Sequence, residues 1–212
     1  MNKTKVLIIT GLLIGAVGGL FIPRRFFWPK TSVLKTVDVR GHKITIKLIT
    51  DNFSEHEPLF RAVYTALNEK HPKVFEEAIK QLKTLDAVLA SAFEYEKKEF
   101  EAKEPNSYFV HAVIDKKPVG FLSFAVQPDG LVLMRNLAVD PAYQGMGIGK
   151  QLTNTIFDIK PKVTKITLLV HRANLTAIDM YKHLGFYEIP ITPQKEFKPD
   201  PKDWMELEFT KK

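Results

Sequence analysis

The stretch R-N-L-A-V-D-P-A-Y-Q-G-M-G-I-G-K, from Arg135 to Lys150, decides the fold of this 212-residue chain. An apolar strand runs into a proline turn, three glycines follow at every second position, and a helical pattern begins directly after them. This order places free backbone N–H groups at the start of a helix, where the helix dipole also favours negative charge. The stretch therefore predicts a turn that binds phosphate groups.

Two common glycine motifs do not fit this turn. A Walker A loop needs serine or threonine after its lysine, whereas Lys150 is followed by glutamine. The dinucleotide fingerprint needs G-x-G-x-x-G, whereas Gly145, Gly147 and Gly149 are evenly spaced. The pattern that fits is Q-x-x-G-x-G, formed by Gln144 and the last two of these glycines.

Q-x-x-G-x-G after a strand ending in N-L-A-V-D-P resembles the acetyl-CoA signature of the GCN5-related N-acetyltransferase (GNAT) superfamily. Further along, the stretch from Asn174 to Phe186 resembles the family's second motif, N-x(6)-Y-x(3)-G-F, with Tyr181 and Gly185 at the matching positions. The two motifs are independent of each other. The resemblance covers roughly residues 43–210 and implies an acyl-CoA N-acyltransferase-like fold.

The hydrophobic periodicity of the chain predicts a mixed α/β protein. We expect the order β-α-α-β-β-β-α-β-α-β-β, with helices on both faces of a mixed central sheet. An apolar stripe from Phe75 to Phe100 predicts one long helix. The acetyltransferase domain is expected over residues 43–212, after a linker at 31–42.

The resemblance implies that acetyl-CoA is the co-substrate. Backbone amides of the glycine turn would surround its pyrophosphate, and Lys150 would add a charge-assisted contact. In this family the fourth strand separates from the fifth, and the pantetheine arm lies between them. The implied binding residues are Leu137, Ala138, Val139, Gln144, Gly145, Met146, Gly147, Ile148, Gly149, Lys150 and Asn174.

The resemblance also implies that Tyr181 is the acid that protonates the departing thiolate. The general base is open, because the strand L-V-L-M-R-N-L-A-V carries no acid where many relatives have glutamate. Asn136 ordering a water, His111 and His171 are the alternatives. The expected function is transfer of an acetyl group to a primary amine on a small molecule or peptide. The alternative is a non-catalytic coenzyme A-binding or partner-binding module of the same fold.

The chain contains no cysteine. A cysteine-bound acyl group is therefore excluded, which favours direct transfer in a ternary complex. No cluster of histidine and carboxylate residues has the spacing of metal ligands, so no metal is expected.

The net charge of +7 is concentrated near the N-terminus, since residues 1–30 hold five basic and no acidic side chains. This distribution favours a membrane over nucleic acid as the partner. Residues 6–22 are uncharged and predict a membrane anchor, and the basic residues after them predict a cytosolic catalytic domain. The alternative is a cleaved signal peptide and an exported protein. The glycines at 11, 15 and 19 have the spacing of a helix–helix contact, which would allow a homodimer.

Overall fold

The computed structural model describes residues 33–104, 106–192 and 199–211. The strands are β1 Val33–Val39, β2 His42–Leu48, β3 Ser107–Ile114, β4 Lys117–Val126, β5 Val132–Val139, β6 Lys165–His171, β7 Tyr187–Ile189 and β8 Trp204–Thr210. The α-helices are α1 Glu57–Lys70, α2 Glu76–Leu82, α3 Leu85–Glu101, α4 Ile148–Ile159 and α5 Leu175–His183.

The strands form one sheet in the order β1-β2-β3-β4-β5-β6-β8-β7. The pairing of β5 with β6 is parallel, because α4 crosses between them, and the other neighbouring pairs are antiparallel. The mixed central sheet expected from the sequence is therefore present.

Helices cover both faces of the sheet because its central strands are apolar on both sides. One face packs on α4 and α5 through a cluster that includes Leu122, Ile148 and Ile178. The other packs on α1, α2 and α3 through a cluster that includes Phe60 and Phe121. Consecutive residues of β4 thus enter different cores, as strand alternation requires.

The expected linker at 31–42 is corrected over residues 33–39, which form β1. β1 pairs with β2 through a two-residue turn at Arg40 and Gly41, whose φ angles are 53° and 80°. Two positive φ angles match the twist of a hairpin, and the Asp38 carboxylate accepts the Gly41 N–H at 3.1 Å. The hairpin crosses the predicted domain start at residue 43.

The long helix expected between residues 75 and 100 is two helices, α2 and α3. Lys83 ends α2 in the left-handed conformation with φ 77°, and its N–H donates to the Ile79 carbonyl. The Thr84 hydroxyl then caps α3 by accepting the Ala87 N–H at 3.1 Å. The apolar stripe continues across the break, which is why periodicity alone did not reveal it.

The predicted localisation in a membrane is also corrected. No helix within residues 33–104, 106–192 and 199–211 is long and apolar enough to cross a bilayer. The run at 6–22, the signal-peptide alternative and the glycine-mediated dimer all concern residues outside the described part of the chain.

Strands β5 and β6 separate after a short contact. Only Val132 with Ile166 and Leu133 with Thr167 are paired, although β5 continues to Val139 and β6 to His171. The result is an open gap in the middle of the sheet, at the carboxyl ends of the two parallel strands.

A bulge in β5 determines which side chains reach that gap. Ser123 of β4 pairs with Asn136, whereas Phe124 pairs with Met134, so Arg135 has no partner on β4. Consecutive residues of a regular strand point to opposite faces. Here Arg135 and Asn136 both contact α3.

Candidate active site

The glycine turn lies directly before α4, beside the gap between β5 and β6. Gly145 and Gly147 have φ angles of 75° and 80°, and Gly147 is the residue that precedes the first turn of α4. A side chain at either position would be strained. At Gly149 space is the constraint, because an added Cβ would lie 3.2 Å from the sulfur of Met180 on α5, and that side chain would have to shift.

The amides of this turn have no protein partner. Among the hydrogen bonds of the described residues, none is donated by the backbone N–H groups of residues 145–150. The Gln144 N–H differs from the expectation, because it already donates weakly to the Pro141 carbonyl at 3.4 Å. The Gln144 side chain donates to the Val139 carbonyl at 3.1 Å, which ties the turn to the end of β5. Six open N–H groups at a helix start fit a diphosphate.

The gap widens into a cleft of about 520 Å³. It is bounded by the end of β5, the glycine turn, α5 and the second half of α1. Of the predicted site residues, the cleft is lined by Leu137, Ala138, Val139, Gln144, Gly145, Gly147, Ile148, Gly149, Lys150, Asn174 and Tyr181. Met146 is not part of this lining, and its side chain packs against the core below α4.

The three predicted residues of β5 do not contribute alike. The Asp140 N–H donates to the Val119 carbonyl of β4. Ala138, two residues earlier and opposite Phe121, directs its N–H to the same side of the strand as Asp140 does. By alternation, Leu137 and Val139 direct their amides to the open gap, whereas Ala138 directs its amide to β4. An extended ligand arm in the gap would therefore meet two of the three amides.

Asn174 both lines the cleft and caps a helix. Its side chain caps α5 by accepting the Ala177 N–H at 3.2 Å, and the residue lines the cleft.

Tyr181 lies on α5 with 6% of its surface exposed, and its ring packs on Phe186. Its hydroxyl forms no hydrogen bond with any residue of the described chain. Burial raises the pKa of this phenol well above its ordinary value, so it stays protonated. The hydroxyl hydrogen of Tyr181 is therefore available to donate to a ligand in the cleft.

The two histidines considered as bases lie in different surroundings. His111 lies outside the cleft lining, with its Nε2 3.0 Å from Nδ1 of His56, whose ring is surrounded by phenylalanines. Burial lowers the pKa of His111 to about 4. His171 lines the cleft, and its Nδ1 accepts the Ala173 N–H at 3.1 Å. Burial lowers the pKa of His171 as well, so its ring is neutral near pH 7. Of the two, only His171 is near the site.

A buried polar network that the sequence did not predict lies at the other wall of the cleft. The Tyr64 hydroxyl on α1 donates to Asn136 Oδ1 at 2.6 Å. Asn136 Nδ2 donates to Glu96 Oε1 at 2.6 Å and to Ser123 Oγ at 3.2 Å. Glu96 is fully buried, and burial raises its pKa to about 7. The sequence did not indicate this network, because the bulge that brings Asn136 to Glu96 has no sequence signature.

Within the described residues, no three histidine, cysteine, aspartate or glutamate side chains are grouped as they would be around a metal ion. The polar groups of the cleft include the open backbone amides, two buried phenols and the neutral imidazole of His171.

Comparison with known proteins places this geometry in a family. The profile of the Acetyltransferase (GNAT) family matches residues 61–186. This chain belongs to that family. The ribosomal protein bS18-alanine N-acetyltransferase of Escherichia coli strain K12 is 33% identical over 105 residues, which span 48% of this chain and 70% of the relative.

Solved GNAT structures share the fold. PaiA N-acetyltransferase from Thermoplasma acidophilum, in complex with coenzyme A, aligns with a TM-score of 0.58 at 19% identity, over 78% of this chain and 98% of that one. An acetyltransferase from Streptococcus agalactiae aligns with a TM-score of 0.56 at 18% identity, over 79% and 98% of the two chains. The predicted family, fold class and acyltransferase activity are confirmed, and acetyl-CoA is the co-substrate, as predicted. The roles of individual residues remain predictions.

Proposed function

We propose that this protein transfers the acetyl group of acetyl-CoA to a primary amine by direct attack in a ternary complex. The observation that carries the proposal is the set of six open amides at residues 145–150, beside a cleft that also holds the uncommitted hydroxyl of Tyr181. The first feature suits a diphosphate and the second suits a leaving thiolate.

The residues would divide the work as follows. The turn amides and Lys150 hold the pyrophosphate, and the Leu137 and Val139 amides hold the extended arm in the gap. As the amine nitrogen bonds to the acetyl carbon, the carbon–sulfur bond breaks. Tyr181 gives its proton to the sulfur, and the proton that the nitrogen loses restores the phenol through water in the cleft. His171 lines the same cleft, but its Nδ1 already accepts the Ala173 N–H, so its Nε2 carries the ring hydrogen and water remains the route for this proton.

The relative from Escherichia coli supports a peptide acceptor, because its name specifies the alanine of a ribosomal protein. We propose the α-amino group of a peptide as the first acceptor class to test. An unprotonated α-amine is also easier to supply near neutral pH than a lysine side chain, since its pKa is about 8 rather than above 10.

The experiment uses the full chain, acetyl-CoA and a panel of alanine-starting peptides, lysine-containing peptides and polyamines. Calorimetry measures binding of acetyl-CoA, and release of the coenzyme thiol measures transfer. The chain itself contributes no thiol background because it has no cysteine. Absence of binding at millimolar acetyl-CoA would refute the proposal.

A non-catalytic module is the second candidate, and one observation favours it. Glu96, the carboxyl that contacts Asn136 of β5, is fully buried and cannot reach an amine directly. Tight binding of acetyl-CoA with no transfer to any member of the panel would favour this candidate.

A further inference from the structure

Tyr64 and Asn136 line the same cleft as Tyr181 but at its opposite wall. Tyr64 lies in the second half of α1 and is 7% exposed, and Asn136 is 4% exposed. Their hydrogen bond of 2.6 Å joins α1 to the bulge of β5. No motif in the sequence assigns a role to Tyr64, and the only role considered for Asn136 is that of a group that orders a water.

The orientation of the Asn136 amide is determined by its neighbours. Its nitrogen donates to both Glu96 Oε1 and Ser123 Oγ, which leaves its oxygen to face α1. That oxygen can only accept, so the Tyr64 hydroxyl must donate to it. The hydrogen of Tyr64 is therefore committed, and the phenol oxygen is left as an acceptor at the cleft wall.

The two phenols of the cleft consequently have opposite hydrogen-bond roles. Tyr64 offers lone pairs, whereas Tyr181 offers a hydrogen. Burial raises the pKa of both phenols well above the ordinary value, so neither role is lost by ionisation near neutral pH. A neutral primary amine has N–H groups to donate and one lone pair to attack with, and an acceptor such as Tyr64 is complementary to its N–H groups.

We infer that Tyr64 orients the acceptor amine by accepting one of its N–H groups, and that Asn136 and Glu96 are positioning residues that keep the Tyr64 oxygen free for this contact. The inference rests on the proposed acetyl transfer and names the group that selects the acceptor. With one N–H held by Tyr64, the nitrogen lone pair is directed across the cleft, where the acetyl group would lie near Tyr181.

The charges around Glu96 make this positioning sensitive to pH. Arg135 faces the carboxyl from β5 and favours its ionised form, whereas Glu99 on the same helix opposes ionisation. Ser123 approaches from β4, and Tyr64 and Asn136 complete the polar surroundings. The pKa of about 7 means that Glu96 changes charge in the working range. An ionised Glu96 holds the Asn136 nitrogen through a charge-assisted bond, which is stronger than the neutral one.

The first test is Tyr64→Phe in the full chain, assayed by thiol release with the best acceptor of the panel. Loss of one acceptor hydrogen bond should lower kcat/KM for the amine about tenfold or more, while the acetyl-CoA Kd changes less than about twofold. The matched control is Tyr187→Phe. Tyr187 lies on the edge strand β7, away from the cleft, and its hydroxyl is bonded to Glu208 of β8. This variant should leave both constants at their wild-type values.

The second test separates positioning from structure. Asn136→Leu should lower kcat/KM for the amine as much as Tyr64→Phe does. Glu96→Gln keeps an oxygen for the Asn136 nitrogen, so it should match the wild type at pH 6 and fall about threefold below it at pH 8.5. Glu94→Gln, on the exposed side of the same helix, is the control and should show a ratio to wild type that is independent of pH.

Melting temperature and acetyl-CoA Kd are measured for every variant, so that a folding defect is seen directly. If the wild type transfers acetyl groups and Tyr64→Phe retains its full kcat/KM for the amine, this inference is wrong and the proposed function stands. If the wild type binds acetyl-CoA but transfers to no amine, the proposed function fails and this inference fails with it.

Discussion

The chemistry of the cleft depends on individual polar groups that form no hydrogen bond within the described protein. Among the residues that the structure describes, neither the Tyr181 hydroxyl nor the amides of residues 145–150 have a hydrogen-bond partner. A folded protein seldom leaves so many polar groups without an intramolecular partner, since each loses hydrogen-bond energy if no ligand or water replaces it. Both features therefore indicate a ligand site, and each can be removed by a small substitution.

Tyr181→Phe removes the hydroxyl without changing the volume of the side chain. We expect kcat to fall between about tenfold and a hundredfold, because the departing thiolate loses its proton donor. The acetyl-CoA Kd should stay within about twofold of wild type. Steady-state thiol release and calorimetry measure the two effects, and an unchanged kcat would exclude Tyr181 as the acid.

Gly147→Ala tests whether the left-handed turn is needed for the coenzyme. With φ at 80°, an alanine should cost about 1 kcal/mol of unfolding free energy and shift the neighbouring amides. We expect the acetyl-CoA Kd to rise about tenfold. Gly130→Ala is the matched control, since its φ is 86° in the turn between β4 and β5 with no atom within 4 Å of an added Cβ.

Gly130→Ala should lose similar stability in urea unfolding and keep the wild-type Kd. Equal affinities for the two variants would show that the turn geometry does not matter for binding.

The residues that the sequence could identify are those placed by a local motif. Asn174 and Tyr181 are seven positions apart on one short helix, so their spacing predicts that both approach the same cleft. Tyr64 and Glu96 follow from no such spacing. They reach Asn136 from two different helices. Tyr64 is 72 positions from Asn136 in the chain and Glu96 is 40 positions from it, so these contacts depend on packing rather than on local pattern.

At the scale of elements, the structure differs from the sequence-based prediction where the backbone has a bulge or a helix break. The Schellman-type end of α5 follows the pattern, because Gly185 has φ 94° and the Phe186 N–H donates to the Tyr181 carbonyl. The bulge at Arg135 and the break at Lys83 do not, because neither is marked by glycine or proline. Irregular backbone on ordinary residues is what sequence periodicity misses.

Lys83→Gly tests the break between α2 and α3. Lys83 holds φ at 77°, which is strained for a residue with a Cβ, so glycine should stabilise the protein by about 0.5–1 kcal/mol. Lys80→Gly in the preceding turn is the control and should destabilise it by about 1 kcal/mol, because its backbone is helical. Urea unfolding of the two variants measures both signs. Destabilisation by Lys83→Gly would contradict the proposed strain.

At the scale of the whole molecule, two buried titratable groups work against each other. His111 has its pKa lowered to about 4 by burial, and Glu96 has its pKa raised to about 7 by burial. The unfolded chain has the ordinary values, near 6.5 for histidine and 4.5 for glutamate. Between pH 7 and 5 the unfolded state therefore gains a proton at His111, whereas the folded state gains one at Glu96.

The signs follow from which state binds more protons. Stability from the neutral His111 is present above pH 6.5 and is lost as the pH falls towards 4. Glu96 has the opposite effect on stability, because burial favours its neutral form. The stability that this neutral form contributes is lost as the pH rises from 4.5 through 7. Each effect amounts to about 2 kcal/mol between pH 7 and 5. His56, whose pKa is also lowered by burial, adds to the acid side.

Because two buried histidines oppose one buried carboxyl, we expect the unfolding free energy of the wild type to fall between pH 7 and 5, and that of Glu96→Gln to fall further. That variant should lose at least about 2 kcal/mol on acidification, because the opposing carboxyl is gone.

The double substitution His56→Leu with His111→Leu should gain stability over the same interval. His42→Gln, at an exposed position on β2, is the control and should follow the wild type. Urea unfolding at pH 5, 6 and 7 measures all four proteins, and parallel curves for Glu96→Gln and wild type would show that the Glu96 carboxyl does not titrate in this interval. Diverging curves would instead show that a buried carboxyl held for orienting Asn136 at the cleft has a measurable consequence for the stability of the entire fold.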